Sequence, residues 1–193
     1  MEKDILLKIF KSESTILTFK EVLLSLPVGT SPTLLKRKLN YYVHKGQLYS
    51  VRRGLYARDK NYDKYELATK IFTPSYISFE TVLFQSGVIF QHYTTIFVAT
   101  YQTREIECDG HRFSYRKIKG VLLADPTGVE NRGNYFIASK ERAFLDTLYL
   151  HNDYYFDNLE ALDFEKVFSI LPLYNNKRME KIVAKKFKIT QEE

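Results

Sequence analysis

The chain has 193 residues, 45% hydrophobic and 27% charged. That is enough to bury a sizeable core without cross-links, and it argues against wholesale disorder. A single cysteine, Cys108, excludes an intramolecular disulfide and any zinc site built on two cysteines, and no apolar run approaches the roughly 18 residues of a membrane-spanning helix. The net charge of +6 is uneven: residues 1–60 carry 12 Lys/Arg against 5 Asp/Glu, residues 61–174 carry 11 against 15, and residues 175–188 carry 6 against 1. Positive charge thus gathers on either side of an acidic middle, which is an electrostatic footprint for a polyanion. Lysines that merely solvate helical faces account for the same charge pattern. The first residues, Met1-Glu2-Lys3-Asp4, carry both signs of charge and read as no secretory signal, so the cytoplasm is the expected compartment.

In chain order, Ile5, Leu6, Ile9 and Phe10 form one apolar stripe and predict a first short helix over residues 4–10. The β-branched run Thr15-Ile16-Leu17 predicts a short strand. Thr18 and Glu21 have capping-box spacing and start a second helix, which the Pro27-Val28-Gly29-Thr30 turn ends. Ser31 and Pro32 start a third helix over residues 32–45, stopped by Gly46. Leu35, Leu39, Tyr42 and Val43 fall on one side of it; Thr33, Lys36, Arg37, Asn40, Tyr41 and His44 fall on the other. The second set mixes phosphate-pairing cations with side chains able to read base edges. Residues 48–57 place two β-prone runs on either side of Arg52-Arg53-Gly54, a hairpin with a basic tip. Helix, strand, helix, turn, helix and hairpin is the order of a winged helix-turn-helix domain, whose last helix enters the major groove. A plain three-helix bundle with a solvated face is the alternative.

Residues 62–72 predict a helix broken by Pro74, and residues 75–87 lead into another that ends near Gly87. Residues 94–101 read as a strand. Asp109-Gly110 marks a hairpin between strands over 104–107 and 112–118. Val121-Leu122-Leu123 and Tyr135-Phe136-Ile137 are further strand candidates. Ser139 caps a helix through Tyr149, Asp163 caps one to about Leu171, and residues 175–187 form a final basic helix. On it, Lys177, Lys181, Lys185 and Lys188 make one stripe suited to a phosphate backbone. The expected fold is α+β. An N-terminal winged helix-turn-helix over residues 1–60 is followed by a mixed α/β domain over 61–193, with a small, mostly antiparallel sheet and C-terminal helices. The boundary is expected near Asp59-Lys60-Asn61.

Three blocks, Val51-Arg52-Arg53-Gly54-Leu55-Tyr56-Ala57, residues 76–83 (Tyr-Ile-Ser-Phe-Glu-Thr-Val-Leu) and residues 137–149 (Ile-Ala-Ser-Lys-Glu-Arg-Ala-Phe-Leu-Asp-Thr-Leu-Tyr), resemble the signature blocks of the AbiEi antitoxin family. These are bacterial regulators paired with a nucleotidyltransferase-like toxin in phage-defence toxin–antitoxin operons. The blocks occur in the family's order over about residues 15–150. The resemblance implies a winged helix that binds inverted repeats upstream of its own operon and represses it, and a C-terminal antitoxin domain that counters the toxin without a stable complex. The chain is expected to be a monomer or weak dimer: a monomer can bind one half-site, and two can occupy an inverted repeat without a dimer in solution. The DNA-contacting set expected from the residues is Ser31, Thr33, Lys36, Arg37, Asn40, Tyr41, His44, Lys45, Arg52 and Arg53, with Lys177, Lys181 and Lys185 from the basic stripe.

No catalytic constellation stands out, so no enzyme, cofactor or metal is expected. His44, His92, His111 and His151 lack metal spacing, and no Walker A, GxGxxG or GxSxG is present. Glu105, Glu107 and Asp109 alternate and would share a strand face, as in some metal-dependent nucleases; a solvent-facing strand before an Asp-Gly turn explains them more simply. Glu80, Glu141 and Asp146 read as capping and packing residues. The competing function is a protein-interaction module that neutralises a partner toxin directly, without specific DNA binding.

Overall fold

The computed structural model describes residues 2–192. Helix α1 (Glu2–Lys11) leads into strand β1 (Ile16–Thr18). Thr18 then caps helix α2 (Phe19–Leu24). Its hydroxyl accepts from the Glu21 amide at 3.1 Å, and the Glu21 carboxylate accepts from the Thr18 amide at 2.7 Å. This is the reciprocal box that the Thr18–Glu21 spacing predicts. Thr18→Ala removes half of it and is expected to lower stability by about 1 kcal/mol, read as a lower urea midpoint at unchanged slope. An unmoved midpoint would show that the box contributes nothing.

Ser31 caps helix α3 (Pro32–His44), with Pro32 at its first turn, and Gly46 takes the left-handed φ of +69° just past its end. Strands β2 (Tyr49–Arg52) and β3 (Leu55–Ala57) form a hairpin that turns at Arg53-Gly54. They join β1 in an antiparallel sheet ordered β1-β3-β2. This small sheet is covered on both faces. Leu17 and Tyr56 enter an apolar cluster with Ile5, Ile9, Val22, Leu35, Leu39 and Tyr42. Ile16, Leu55 and Ala57, alternating with them, point the other way into the larger core.

Residues 58–63 connect to helix α4 (Lys64–Ile71), capped by Asp63. Polar bonds fasten α4 to the small sheet. The Glu66 carboxylate accepts from the Thr15 amide at 2.8 Å and its hydroxyl at 2.6 Å, while the Lys70 ammonium donates to the Ile16 carbonyl at 2.7 Å and pairs with Glu21 at 2.8 Å.

The remaining strands are β4 (Ser75–Ile77), β5 (Ile96–Thr100), β6 (Arg104–Cys108), β7 (His111–Lys117), β8 (Val129–Asn131) and β9 (Phe136–Ala138). They make a six-stranded sheet ordered β6-β7-β5-β4-β9-β8. The sheet expected after residue 61 was small and mostly antiparallel; the one observed is larger and mixed. The β5/β7 and β4/β9 pairs are parallel. The first follows from the hairpin: β6 reverses the chain and β7 reverses it again, so β7 lies beside β5 in the same direction.

One more expectation is corrected. Val121-Leu122-Leu123 is not a strand but the centre of helix α6 (Gly120–Ala124), which buries Leu122 alone. Ser75-Tyr76-Ile77, which leads into the next helix, is itself strand β4, and helix α5 (Phe79–Gln85) begins after Ser78. Helix α7 (Lys140–Leu150) runs through the larger core, with Glu141 to Leu148 buried without a break. Helix α8 (Phe164–Ile170), a 3-10 turn (Leu171–Tyr174) and helix α9 (Lys177–Glu192) complete the chain.

Candidate nucleic-acid interface

The apolar periodicity of α3 decides which way it faces. Leu35, Leu39 and Tyr42 are buried, so Thr33, Lys36, Arg37, Asn40, Tyr41 and His44 are turned to solvent, as are Ser31 and Lys45 at its ends. None of Lys36, Arg37 and Lys45 pairs with a carboxylate among the described residues. Tyr41 is about half exposed; its ring lies edge-on to Tyr42 at 5.8 Å, with the Lys45 ammonium 5.8 Å from its centre. This packing holds a polar, cationic and aromatic face on a helix whose opposite side is fixed in the core.

Arg52 and Arg53 are exposed at the hairpin turn. Gly54 allows that turn through its φ of +82°, and its carbonyl accepts from the Phe19 amide at 2.9 Å, which pins the tip to the start of α2. The base of the hairpin is held from the other side by the turn between β6 and β7. The Tyr49 hydroxyl donates to Asp109 Oδ1 at 2.6 Å, the Tyr62 hydroxyl donates to the same carboxylate, and the Cys108 thiol lies 3.7 Å from the Val51 carbonyl. The hydrogen bonds from Tyr49 and Tyr62 hold the Asp109 carboxyl below its ordinary value, and burial pushes the Cys108 thiol up. Cys108 is therefore a buried packing group rather than a reactive thiol.

On α9, Met179 and Val183 are buried in the larger core, and Phe187 packs on Phe164 at 5.1 Å and Phe168 at 5.4 Å. Lys177, Lys181, Lys185 and Lys188 are all exposed. Lys186 instead turns inward, 3.3 Å from the Tyr154 carbonyl and 4.9 Å from the centre of the Phe156 ring; burial lowers its pKa. In the aromatic run Tyr154-Tyr155-Phe156, Phe156 is buried and Tyr155 exposed.

The carboxylates considered as a metal site do not converge. Glu105 accepts from the Ser114 hydroxyl, Glu107 lies 3.9 Å from Arg112, and Asp109 has left the strand for the turn at φ +51°. Among the described residues no group of three or more His, Cys, Asp or Glu side chains is placed to hold a metal ion.

Sequence reasoning missed a buried polar network that joins the blocks at 76–83 and 137–149. Arg142 and Asp146, one turn apart on α7, are both fully buried, with Arg142 Nε 3.4 Å from Asp146 Oδ1. Asp146 also accepts from the hydroxyls of Tyr76 (2.9 Å), Ser78 (2.8 Å) and Tyr174 (2.7 Å). Arg142 donates onward to the carbonyls of Thr127 at 2.9 Å and Leu122 at 2.7 Å. Burial pushes the Asp146 carboxyl up, and the guanidinium and three hydroxyls pull against it; burial likewise raises the Tyr76 and Tyr174 phenols. Glu80, nearly buried, is held by Arg116 through contacts of 2.8 and 3.0 Å, with the guanidinium stacked over the Phe97 ring at 4.4 Å. These groups hold one another by ion pairs and hydrogen bonds, with the buried Arg142 Nε left only its ion-pair contact to Asp146 and no hydrogen bond among the described residues.

No protein-family model matches the chain, and no curated protein matches it. No helix among the described residues is long and apolar enough to cross a membrane.

Proposed function

We propose that the chain is a sequence-specific binder of double-stranded DNA that represses transcription of its own operon. In this reading α3 lies in the major groove, with Lys36, Arg37, Asn40, Tyr41 and His44 towards base edges and nearby phosphates. Ser31, Thr33 and Lys45 meet the backbone at its ends, and the Arg52-Arg53 turn acts as a wing on the flanking backbone. One observation carries it: α3 presents an exposed polar and basic face, with no ion pair to its cations among the described residues, whose reverse is locked into the core. The element order α1-β1-α2-α3-β2-β3, with the sheet ordered β1-β3-β2, supports a winged helix. The antitoxin half rests on the resemblance to the AbiEi family. It makes the chain the countermeasure to a nucleotidyltransferase-like toxin, acting without a stable complex, with two copies filling an inverted repeat.

Footprinting on the DNA upstream of the chain's own coding sequence tests the repressor. Protection of an inverted repeat, shifted to about tenfold or more higher protein concentration in Arg37→Ala, is the expected result; no protected site would refute it. Size exclusion of the chain co-expressed with the neighbouring gene product tests the rest, since a stable complex would favour an interaction module that holds the toxin directly.

The basic stripe of α9 is assigned to the phosphate backbone. Because Met179 and Val183 anchor α9 in the core, deleting it would disturb the fold, whereas charge removal would not. Lys177→Gln, Lys181→Gln and Lys185→Gln together are expected to flatten the dependence of log affinity on log salt by about 0.9 for each phosphate left without its cation. An unchanged slope would leave the stripe as a solvated face.

A further inference from the structure

The β6–β7 turn that grips the hairpin also forms one wall of a cavity of about 460 Å³. That volume lies within the roughly 300–1,000 Å³ of small-molecule sites. Lys64, Phe84, His92, Tyr93, His111 and Arg112 line it. The two cations are available: Lys64 is exposed without a carboxylate partner among the described residues, and Arg112 has only the loose contact to Glu107 at 3.9 Å between two exposed side chains. The carboxylate on the wall, Glu80, is neutralised by Arg116 behind it. The cavity therefore favours an anion. It also has an aromatic wall: a partly exposed phenylalanine, Phe84, with the His92 ring edge-on at 5.1 Å, and Tyr93, edge-on to Phe97 at 5.4 Å, against which a planar ring can pack. From this wall the contacts run outward. His111 lies edge-on to Tyr62 at 6.2 Å, Tyr62 donates to Asp109, and Asp109 accepts from Tyr49 of β2.

We infer that this cavity binds a nucleoside monophosphate, with Lys64 and Arg112 on the phosphate and the Phe84–Tyr93 wall on the base, and that its occupancy is passed to the β2–β3 hairpin through Asp109. Ligand binding needs no DNA; only its consequence for DNA affinity rests on the reading of the hairpin as a wing.

The test uses the full chain alone. Titration calorimetry with AMP, GMP, CMP and UMP, beside adenosine and inorganic phosphate, is expected to give saturable one-to-one binding of at least one nucleotide, with nucleoside and phosphate at least about tenfold weaker. Lys64→Ala and Arg112→Ala, both at exposed positions, should each weaken it about tenfold with unchanged circular dichroism and melting temperature. In hydrogen exchange, the bound nucleotide should slow the amides of 49–52 in the native chain but not in Asp109→Asn, whose nucleotide affinity should persist. Absence of saturable binding by all four nucleotides would overturn the site. So would binding indifferent to both alanine variants, or phosphate binding as tightly as the best nucleotide. Equal hairpin exchange with and without bound nucleotide would overturn the coupling. None of these outcomes depends on whether the chain binds DNA.

Discussion

Asp146→Ala is expected to destabilise the protein by about 3–5 kcal/mol. The substitution leaves the Arg142 guanidinium buried beside a vacated carboxylate. It also strips the Tyr76, Ser78 and Tyr174 hydroxyls of their common acceptor. Arg142 cannot swing to water, because its other nitrogens are tied to the Thr127 and Leu122 carbonyls. Guanidinium unfolding followed by circular dichroism measures the loss. Replacing both partners with apolar residues, Arg142→Met with Asp146→Leu, should cost less than Asp146→Ala alone, because the uncompensated charge is then gone. A single-variant loss below about 1 kcal/mol would mean that water enters the network or that Arg142 finds another counterion.

Arg37→Ala and Asn40→Ala should each cost about 1–3 kcal/mol on the cognate duplex and far less on unrelated sequence, because a bidentate grip on a base edge carries the discrimination with it. Lys45→Ala, at the end of α3, should weaken all sequences alike and lower the salt slope by about 1. Arg37 and Asn40 are exposed and make no ion pair among the described residues, so their removal should leave the fold intact. Fluorescence anisotropy on paired cognate and scrambled duplexes separates the outcomes. Equal loss on both duplexes for Arg37→Ala and Asn40→Ala would take α3 out of the groove.

The N-terminal elements were legible because their signals are local. The Thr18–Glu21 capping box, Ser31-Pro32 and Gly46 mark helix ends by side-chain chemistry within a few residues, and the Arg53-Gly54 and Asp109-Gly110 turns are short. The exposed face of α3 followed from the same periodicity. Failures came where pairing is non-local or runs are short. Val121-Leu122-Leu123 is too brief for periodicity to separate strand from helix, and its helix is one turn with a single buried residue. Strand β8 reads Val-Glu-Asn at a sheet edge, with two of its three residues exposed, and gives almost no apolar signal. The two parallel pairings join residues 17 positions apart (Ile96 with Phe113) and 60 apart (Ile77 with Ile137), and leave no local trace.

The polar core shows a third kind of failure. Arg142 and Asp146 stand four residues apart, which puts them on one helix face. Reading Asp146 only as a capping and packing residue of its helix overlooks the pair. The hydroxyls that complete the network come from Tyr76, Ser78 and Tyr174, on β4, the residue after it and the 3-10 turn. Only the fold brings them together. Much of what distinguishes the blocks at 76–83 and 137–149 is thus the chemistry of burying polar and charged groups: Ser78, Glu80, Glu141, Arg142 and Asp146 are all buried.

The most direct test of the central claim is equilibrium binding of the purified chain to the duplex upstream of its own coding sequence, against a scrambled duplex of equal length, at two salt concentrations. The expected result is tight binding to the native duplex, weaker binding to the scrambled one, and an affinity for both that falls steeply with salt as phosphate contacts release counterions. Equal, salt-sensitive binding to both duplexes would contradict sequence recognition by α3, and no binding to either would contradict a DNA-binding role altogether.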